Sequence, residues 1–207
     1  MCSGAHRTAT FNESLERIGY RYGSNDQHAR GGFNHCHALN MTYETSIVFI
    51  CMGNICRSPT AEGVFRHKVR SAGLIDHIAI DSAGTHNYHP GEPPDARSQH
   101  HALQRGYDIS DLRARALRES DIERADFLVV MDDLNYSTVR SRMADVHQHK
   151  LRRLTEFCLM DAHKSAREVP DPYYGERADF ERVLDLVEDG CDGLLVHVRQ
   201  KPATAFP

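Results

Sequence analysis

The run Ile47-Val48-Phe49-Ile50 leads directly into a short loop and then into a proline-led helical pattern. A continuous apolar run without polar alternation is what a strand covered on both faces requires, so we read it as the central strand. Pro59 suits the first helical position and Glu62 the first turn. Ala61, Val64, Phe65 and Val69 then recur at helical spacing until Gly73. The core therefore opens as strand, loop, helix.

The alternation continues. Ile78-Ala79-Ile80 forms a second short strand, and Thr85 to Pro94, with Gly91 and paired prolines, forms a loop into a helix from Asp95 to Arg105. A short helix around Glu119 to Ala125 enters a third strand, Phe127 to Met131. A helix over Leu134 to Arg142 precedes a weaker fourth strand, Leu151 to Leu154. Phe180, Val183, Leu184, Val187, Cys191, Leu194, Leu195 and Val198 make one apolar stripe on a last helix. This order predicts an α/β protein of three layers: a doubly wound, four-stranded parallel sheet of flavodoxin-like type with helices on both faces. In such sheets ligands bind beyond the carboxyl ends of the strands, which points to the loop after Ile50. Residues 1–44 are rich in His, Gly, Asn, Arg and Ser, with little apolar periodicity outside Phe11 to Ile18. They are expected to be a disordered extension, with Met41 as an alternative start, ahead of a domain over 45–200 and a tail over 201–207.

Charge restricts the partners. With 25 Lys and Arg against 29 Asp and Glu, a net charge of -4 and no basic run, the chain has no bulk attraction to nucleic acid. Any anion must be caught locally. The longest apolar stretch is too short to cross a bilayer and the first residues lack the apolar core of a signal peptide, so no membrane partner and a cytoplasmic location are expected. Six scattered cysteines favour a reducing compartment, with Cys158 and Cys191 as small buried hydrophobes.

The loop reads Cys51-Met52-Gly53-Asn54-Ile55-Cys56-Arg57-Ser58. Successive N–H groups in such a curl can form an anion nest, and the following helix adds positive potential at the same point. Gly53 and Asn54 tolerate the left-handed backbone angles that a curl demands. Arg57 can grip two phosphoryl oxygens with its planar fork, and this positive field would favour the nucleophilic thiolate of Cys51. Ser58 can donate to that thiolate or to the loop backbone. A lone cysteine ending a strand is commonly just a core residue; it is the spacing, the Gly and Asn, and the Ser-Pro helix entry together that argue for chemistry. The Gly-Lys-Ser/Thr ending of a nucleotide-binding loop is absent, and no second pair of ligands stands at zinc-finger spacing.

Ile47 to Phe65 resembles the signature of the low-molecular-weight protein tyrosine phosphatases. A second hallmark of that family, Asp-Pro-Tyr-Tyr-Gly, stands at Asp171 to Gly175, and the resemblance spans roughly Thr45 to Arg199. It implies Cys51 as nucleophile, Arg57 as phosphate clamp and Asp171 as general acid. It further implies a substrate site of Met52, Gly53, Asn54, Ile55, Cys56, Ser58, Tyr88, Tyr173 and Tyr174. The reaction it implies is hydrolysis of phosphotyrosine in proteins, and of small aryl phosphates, through a cysteinyl-phosphate, with inorganic phosphate as product and neither metal nor cofactor. Ile55 resembles the tyrosine-directed members. Tyr88 stands where many relatives have tryptophan and can equally be an ordinary surface tyrosine. Cys56 either fills the back of the loop or, as the resemblance suggests, forms a protective disulfide with Cys51. Two rivals remain: a thiol-dependent arsenate reductase, for which no suitably spaced cysteine pair occurs between Met131 and Pro170, and a non-catalytic phosphotyrosine-binding module.

Overall fold

The computed structural model describes residues 44–200; the expected extension up to residue 43 and the tail over 201–207 lie outside the described residues. Strand β1 (Thr45–Cys51) pairs in parallel with β2 (Ile78–Gly84) on one side and β3 (Phe127–Val130) on the other, and β3 pairs in parallel with β4 (Leu151–Arg153). The order β2-β1-β3-β4 makes β1 central, with Ile47 opposite both Ile80 and Phe127. The chain winds outward from β1 in one direction to β2 and then in the other to β3. The loop after Cys51 therefore opens at the switch point where an α/β sheet leaves a crevice.

Both faces of β1 are covered, as its unbroken apolar sequence requires. Ile47, Phe49 and Cys51 pack towards helices α1 (Arg57–Ser71) and α5 (Arg177–Gln200), where Phe65, Val187 and Leu194 meet them. The Phe49 and Phe65 rings meet edge to face at 5.6 Å. Val48 and Ile50 face the other way, onto Ile122 of α3 (Glu119–Arg124) and Val139 of α4 (Asp133–Ser141). Full burial of each such side chain stabilises the fold by roughly 1.5–3 kcal/mol. Helix α2 (Ala96–Gln104) is capped by Asp95, whose carboxylate accepts from Arg97 N at 2.8 Å.

The expected elements are present with shifted ends. Strand β2 runs on through Asp81 and Ser82 to Gly84 instead of stopping at Ile80, because Ser82 finds buried side-chain partners and need not face water. Strand β4 ends at Arg153, and Leu154–Phe157 forms a 3-10 turn; a further 3-10 turn, Asp145–Lys150, was not foreseen. Among the described residues, no helix is long and apolar enough to cross a membrane.

Helix α5 lies so close to the 3-10 turn that a Cβ on Gly193 would overlap the Phe157 carbonyl. Replacing a mid-helix glycine by alanine ordinarily stabilises by about 0.5–1 kcal/mol. Here the obstacle is backbone, which cannot rotate away. Gly193→Ala is therefore expected to destabilise the protein by about 1–3 kcal/mol, measured by urea or thermal unfolding.

Candidate active site

Strand β1 ends on Cys51 and α1 begins at Arg57, so the intervening loop must turn within a few residues. Its carbonyls are drawn outward: Cys51 O accepts from Thr85 N at 2.9 Å, Met52 O from His86 N at 3.0 Å and Ile55 O from Asp95 N at 2.8 Å. Cys56 O accepts from the Thr60 hydroxyl at 2.7 Å. In a trans peptide the N–H points opposite to the carbonyl, so the N–H groups that follow are turned towards the centre of the loop. The neighbouring strand must come very close for this. A Cβ on Gly84 would stand only 2.8 Å from Met52 O and 2.7 Å from His86 O.

Asn54 fixes the curl. It is the non-glycine residue of the described chain with positive φ (58°), whereas Gly53 does not take the left-handed conformation foreseen for it. The Asn54 side chain, buried to 2% exposure, compensates the strain with bonds to three segments. Its Nδ2 donates to Ser58 Oγ and Ser82 Oγ, both at 2.9 Å, and its Oδ1 accepts from Arg115 N at 2.9 Å. Ser58 Oγ, which accepts from Asn54, stands 3.1 Å from Cys51 Sγ and 3.4 Å from Ala83 O, so its one proton can serve either. Ser82 in turn donates to Glu62 Oε2 at 2.6 Å. Burial raises the Glu62 carboxyl, with the Ser82 hydrogen bond and Arg66 opposing it.

The Arg57 guanidinium is 2% exposed. Its Nη1 donates to Asp132 Oδ2 at 2.5 Å and to Val169 O at 3.3 Å, and its Nη2 donates to Asp171 Oδ2 at 2.7 Å. Its Nε is buried without an acceptor among the described residues. Burial works against the charge, but Cys51, Asp171 and Asp132 outweigh it and keep the guanidinium protonated. Asp171 sits on the turn expected of its sequence, with Tyr173 N donating to its Oδ1 at 3.3 Å and Gly175 N to Pro172 O at 2.8 Å.

One cleft of about 250 Å³ is lined by Cys51, Met52, Gly53, Ile55, Cys56, Arg57, Tyr88, Asp171, Tyr173 and Tyr174, while Asn54 and Ser58 lie buried beneath it. The residues singled out from sequence thus converge. Tyr173 and Tyr174 meet edge to face at 4.9 Å, and Tyr88 stacks on His86 at 4.9 Å. The sequence reading missed His89, which also lines the cleft and bonds Glu92 at 2.8 Å, and Asp132, the second carboxylate on Arg57. Asp132 carries a signal that could have exposed it: it caps α4, accepting from Asn135 N at 2.6 Å, directly beyond β3. Ser82, Glu62 and Arg115 carry none. Among the described residues, no cluster of His, Cys, Asp or Glu is arranged to hold a metal ion.

The other thiols differ from a redox relay. Cys158 is buried away from the cleft lining, and burial, with Asp189, pushes its thiol up to about 12. Cys56 is likewise pushed up to about 12 by burial, against a hydrogen bond from Ser98 and with the negative charges of Asp95, Cys51 and Asp171 adding to the shift. A raised thiol pKa means that the folded state holds its proton where the unfolded chain has released it, so stability falls as pH rises from about 9 towards about 12. In native protein Cys56 is expected to resist iodoacetamide at neutral pH and to become labelled only in that alkaline window or on unfolding, as peptide mass mapping would show. Rapid labelling of Cys56 at neutral pH would contradict a buried thiol held in its protonated form.

The comparisons agree with this geometry. A sequence model of the family described as low molecular weight phosphotyrosine protein phosphatase matches residues 46–204. A low molecular weight protein-tyrosine-phosphatase of Streptomyces coelicolor is 40% identical over 163 residues, covering 78% of this chain and 96% of its own. The crystal structure of a protein tyrosine phosphatase from Entamoeba histolytica superposes with a TM-score of 0.72 at 35% identity, covering 75% of this chain and 97% of its own. That of YfkJ from Bacillus subtilis gives 0.70 at 35% identity, covering 75% and 95%. Sequence and fold together show that this chain belongs to the low molecular weight phosphotyrosine protein phosphatase family.

Proposed function

We propose that the protein hydrolyses phosphotyrosine in protein substrates, and small aryl phosphates, through a phosphate carried on Cys51. The observation that carries this reading is the convergence of a thiol and a guanidinium from one loop with a carboxyl group from a distant turn on one aromatic-walled cleft. A phosphoryl group there would meet the inward N–H groups of the loop. It would also supply the acceptor that the buried Arg57 Nε lacks. Taking Nη2 as well, it would displace Asp171, whose carboxyl would then stand beside the leaving oxygen.

In the first step the Cys51 thiolate forms an S–P bond as the P–O bond to the aryl group breaks, and Asp171 gives its proton to the departing phenolate. In the second, water attacks phosphorus, Asp171 takes the water's proton, the S–P bond breaks, and inorganic phosphate leaves with the thiolate restored. Charge on the transferring group is met by the N–H nest and Arg57, with Ser58 stabilising the sulfur. Tyr88, Tyr173 and Tyr174, at 61%, 38% and 96% exposure, offer a flat aromatic leaving group surfaces that serine or threonine esters cannot exploit. The free, buried Cys51, Cys56, Cys158 and Cys191 fit a reducing compartment, which supports a cytoplasmic location.

Cys51→Ser is expected to abolish turnover while retaining phosphate binding. Asp171→Asn should lower kcat/KM for poor leaving groups by about 10²–10⁴-fold and spare activated ones. A series of aryl phosphates with graded leaving groups checks this, and an equal loss across the series would show that Asp171 is not the acid.

A further inference from the structure

The proposed chemistry asks two things of the Asp171 turn. Arg57 must let go of Asp171 to take the phosphate, yet the carboxyl must stay beside the leaving oxygen. The internal bonds of the turn, Tyr173 N to Asp171 Oδ1 and Gly175 N to Pro172 O, shape it without fixing it to the rest of the molecule. At its far end Glu176 N donates to Asp179 Oδ2, again local. Among the described residues, the side-chain hydrogen bond that reaches the turn from another element, apart from the one Arg57 must give up, comes from Arg97: its Nη2 donates to Tyr173 O at 2.9 Å.

Arg97 is well held for that task. It stands in the first turn of α2, with Nε and Nη2 gripping the Asp95 carboxylate at 3.0 and 2.8 Å. Its guanidinium lies over the Phe180 ring, 4.8 Å from the centroid, and 5.9 Å from that of Tyr173. Phe180 is itself buried and stacked on His101, which bonds Glu181 at 2.6 Å. The same Asp95 donates its backbone N–H to Ile55 O in the anion loop at 2.8 Å. A continuous path of short bonds therefore runs from the anion loop through Asp95 and Arg97 to the turn that carries the acid.

We infer that Arg97 is a positioning residue, which ties the Asp171 turn to the anion loop and holds the carboxyl at the leaving oxygen once Arg57 has turned to the phosphate. This rests on the phosphatase reading above and adds to it a residue that never touches substrate. A loose turn would withhold the proton from substrates that need it and leave those with good leaving groups almost unaffected.

The test compares kcat/KM for phenyl phosphate and 4-nitrophenyl phosphate in Arg97→Ala, Asp171→Asn and the double variant. Arg97→Ala is expected to lose about tenfold or more on phenyl phosphate and less than about threefold on 4-nitrophenyl phosphate, a bias of the kind that loss of general acid assistance produces. Inhibition by inorganic phosphate should change by less than about threefold, because the anion loop keeps its own bonds. In the Asp171→Asn background, removing Arg97 should cost less than about twofold more, since a residue acting through Asp171 has nothing left to position. Arg97→Lys, which keeps a donor but neither the fork on Asp95 nor the planar stack on Phe180, should show the same bias in weaker form, and serves if alanine impairs folding. Equal losses on both substrates, or additive losses in the double variant while Asp171→Asn alone shows the bias, would overturn the inference and leave the phosphatase reading intact. Absence of the bias in Asp171→Asn itself would overturn the acid assignment and this inference with it.

Discussion

A guanidinium removed almost wholly from water is a demand that the surrounding structure has to meet. Arg57 at 2% exposure is tolerable only because Asp132, Asp171 and Val169 O face it. Loss of Asp132, the mostly buried partner, would typically cost about 3–5 kcal/mol. These acceptors come from the segment after β3 and the segment before α5, and Arg57 itself opens the helix after β1. Two crossovers of a parallel sheet and the segment after its last strand must bring their residues to one point for the charge to be compensated. Fold and site are thus two descriptions of one constraint.

The two aspartates divide the work. Asp132, with its side chain 15% exposed, also caps α4, so moving it would uncap a helix as well as strand a charge. Asp171, 44% exposed and on a turn, can leave with little disruption. On the proposed mechanism the difference has a use: the fixed partner keeps Arg57 aimed while the loose one exchanges Arg57 for the leaving group. Beneath them Asn54, itself in the left-handed conformation, fixes the curl of the loop with bonds to α1, to β2 and to the strip near Arg115.

Much of this was legible in the sequence. Ile47 to Ile50, the stripe from Phe180 to Val198 and the Phe127 strand have the periods of buried elements, and the structure has them in those places. Strand β2 was misjudged at its end because Asp81 and Ser82 look like surface; the partners of Ser82 lie in other elements, where no periodicity reveals them. The meeting of Arg57 and Asp171, 114 positions apart, was likewise beyond spacing arguments and came from resemblance alone. His89 went unremarked because a histidine in a proline- and glycine-rich loop carries no pattern, although the loop folds it onto Gly53.

On the proposed mechanism Cys51 accepts the phosphate and Asp171 serves both halves of the cycle. Rapid quench of Asp171→Asn in denaturant at neutral pH during turnover of an activated aryl phosphate, followed by peptide mass mapping, tests this. An activated substrate can still phosphorylate the enzyme, whereas hydrolysis of the intermediate lacks its base, so phosphate is predicted to accumulate on the peptide carrying Cys51. Phosphate on another residue, or none on the protein while turnover proceeds, would rule this mechanism out.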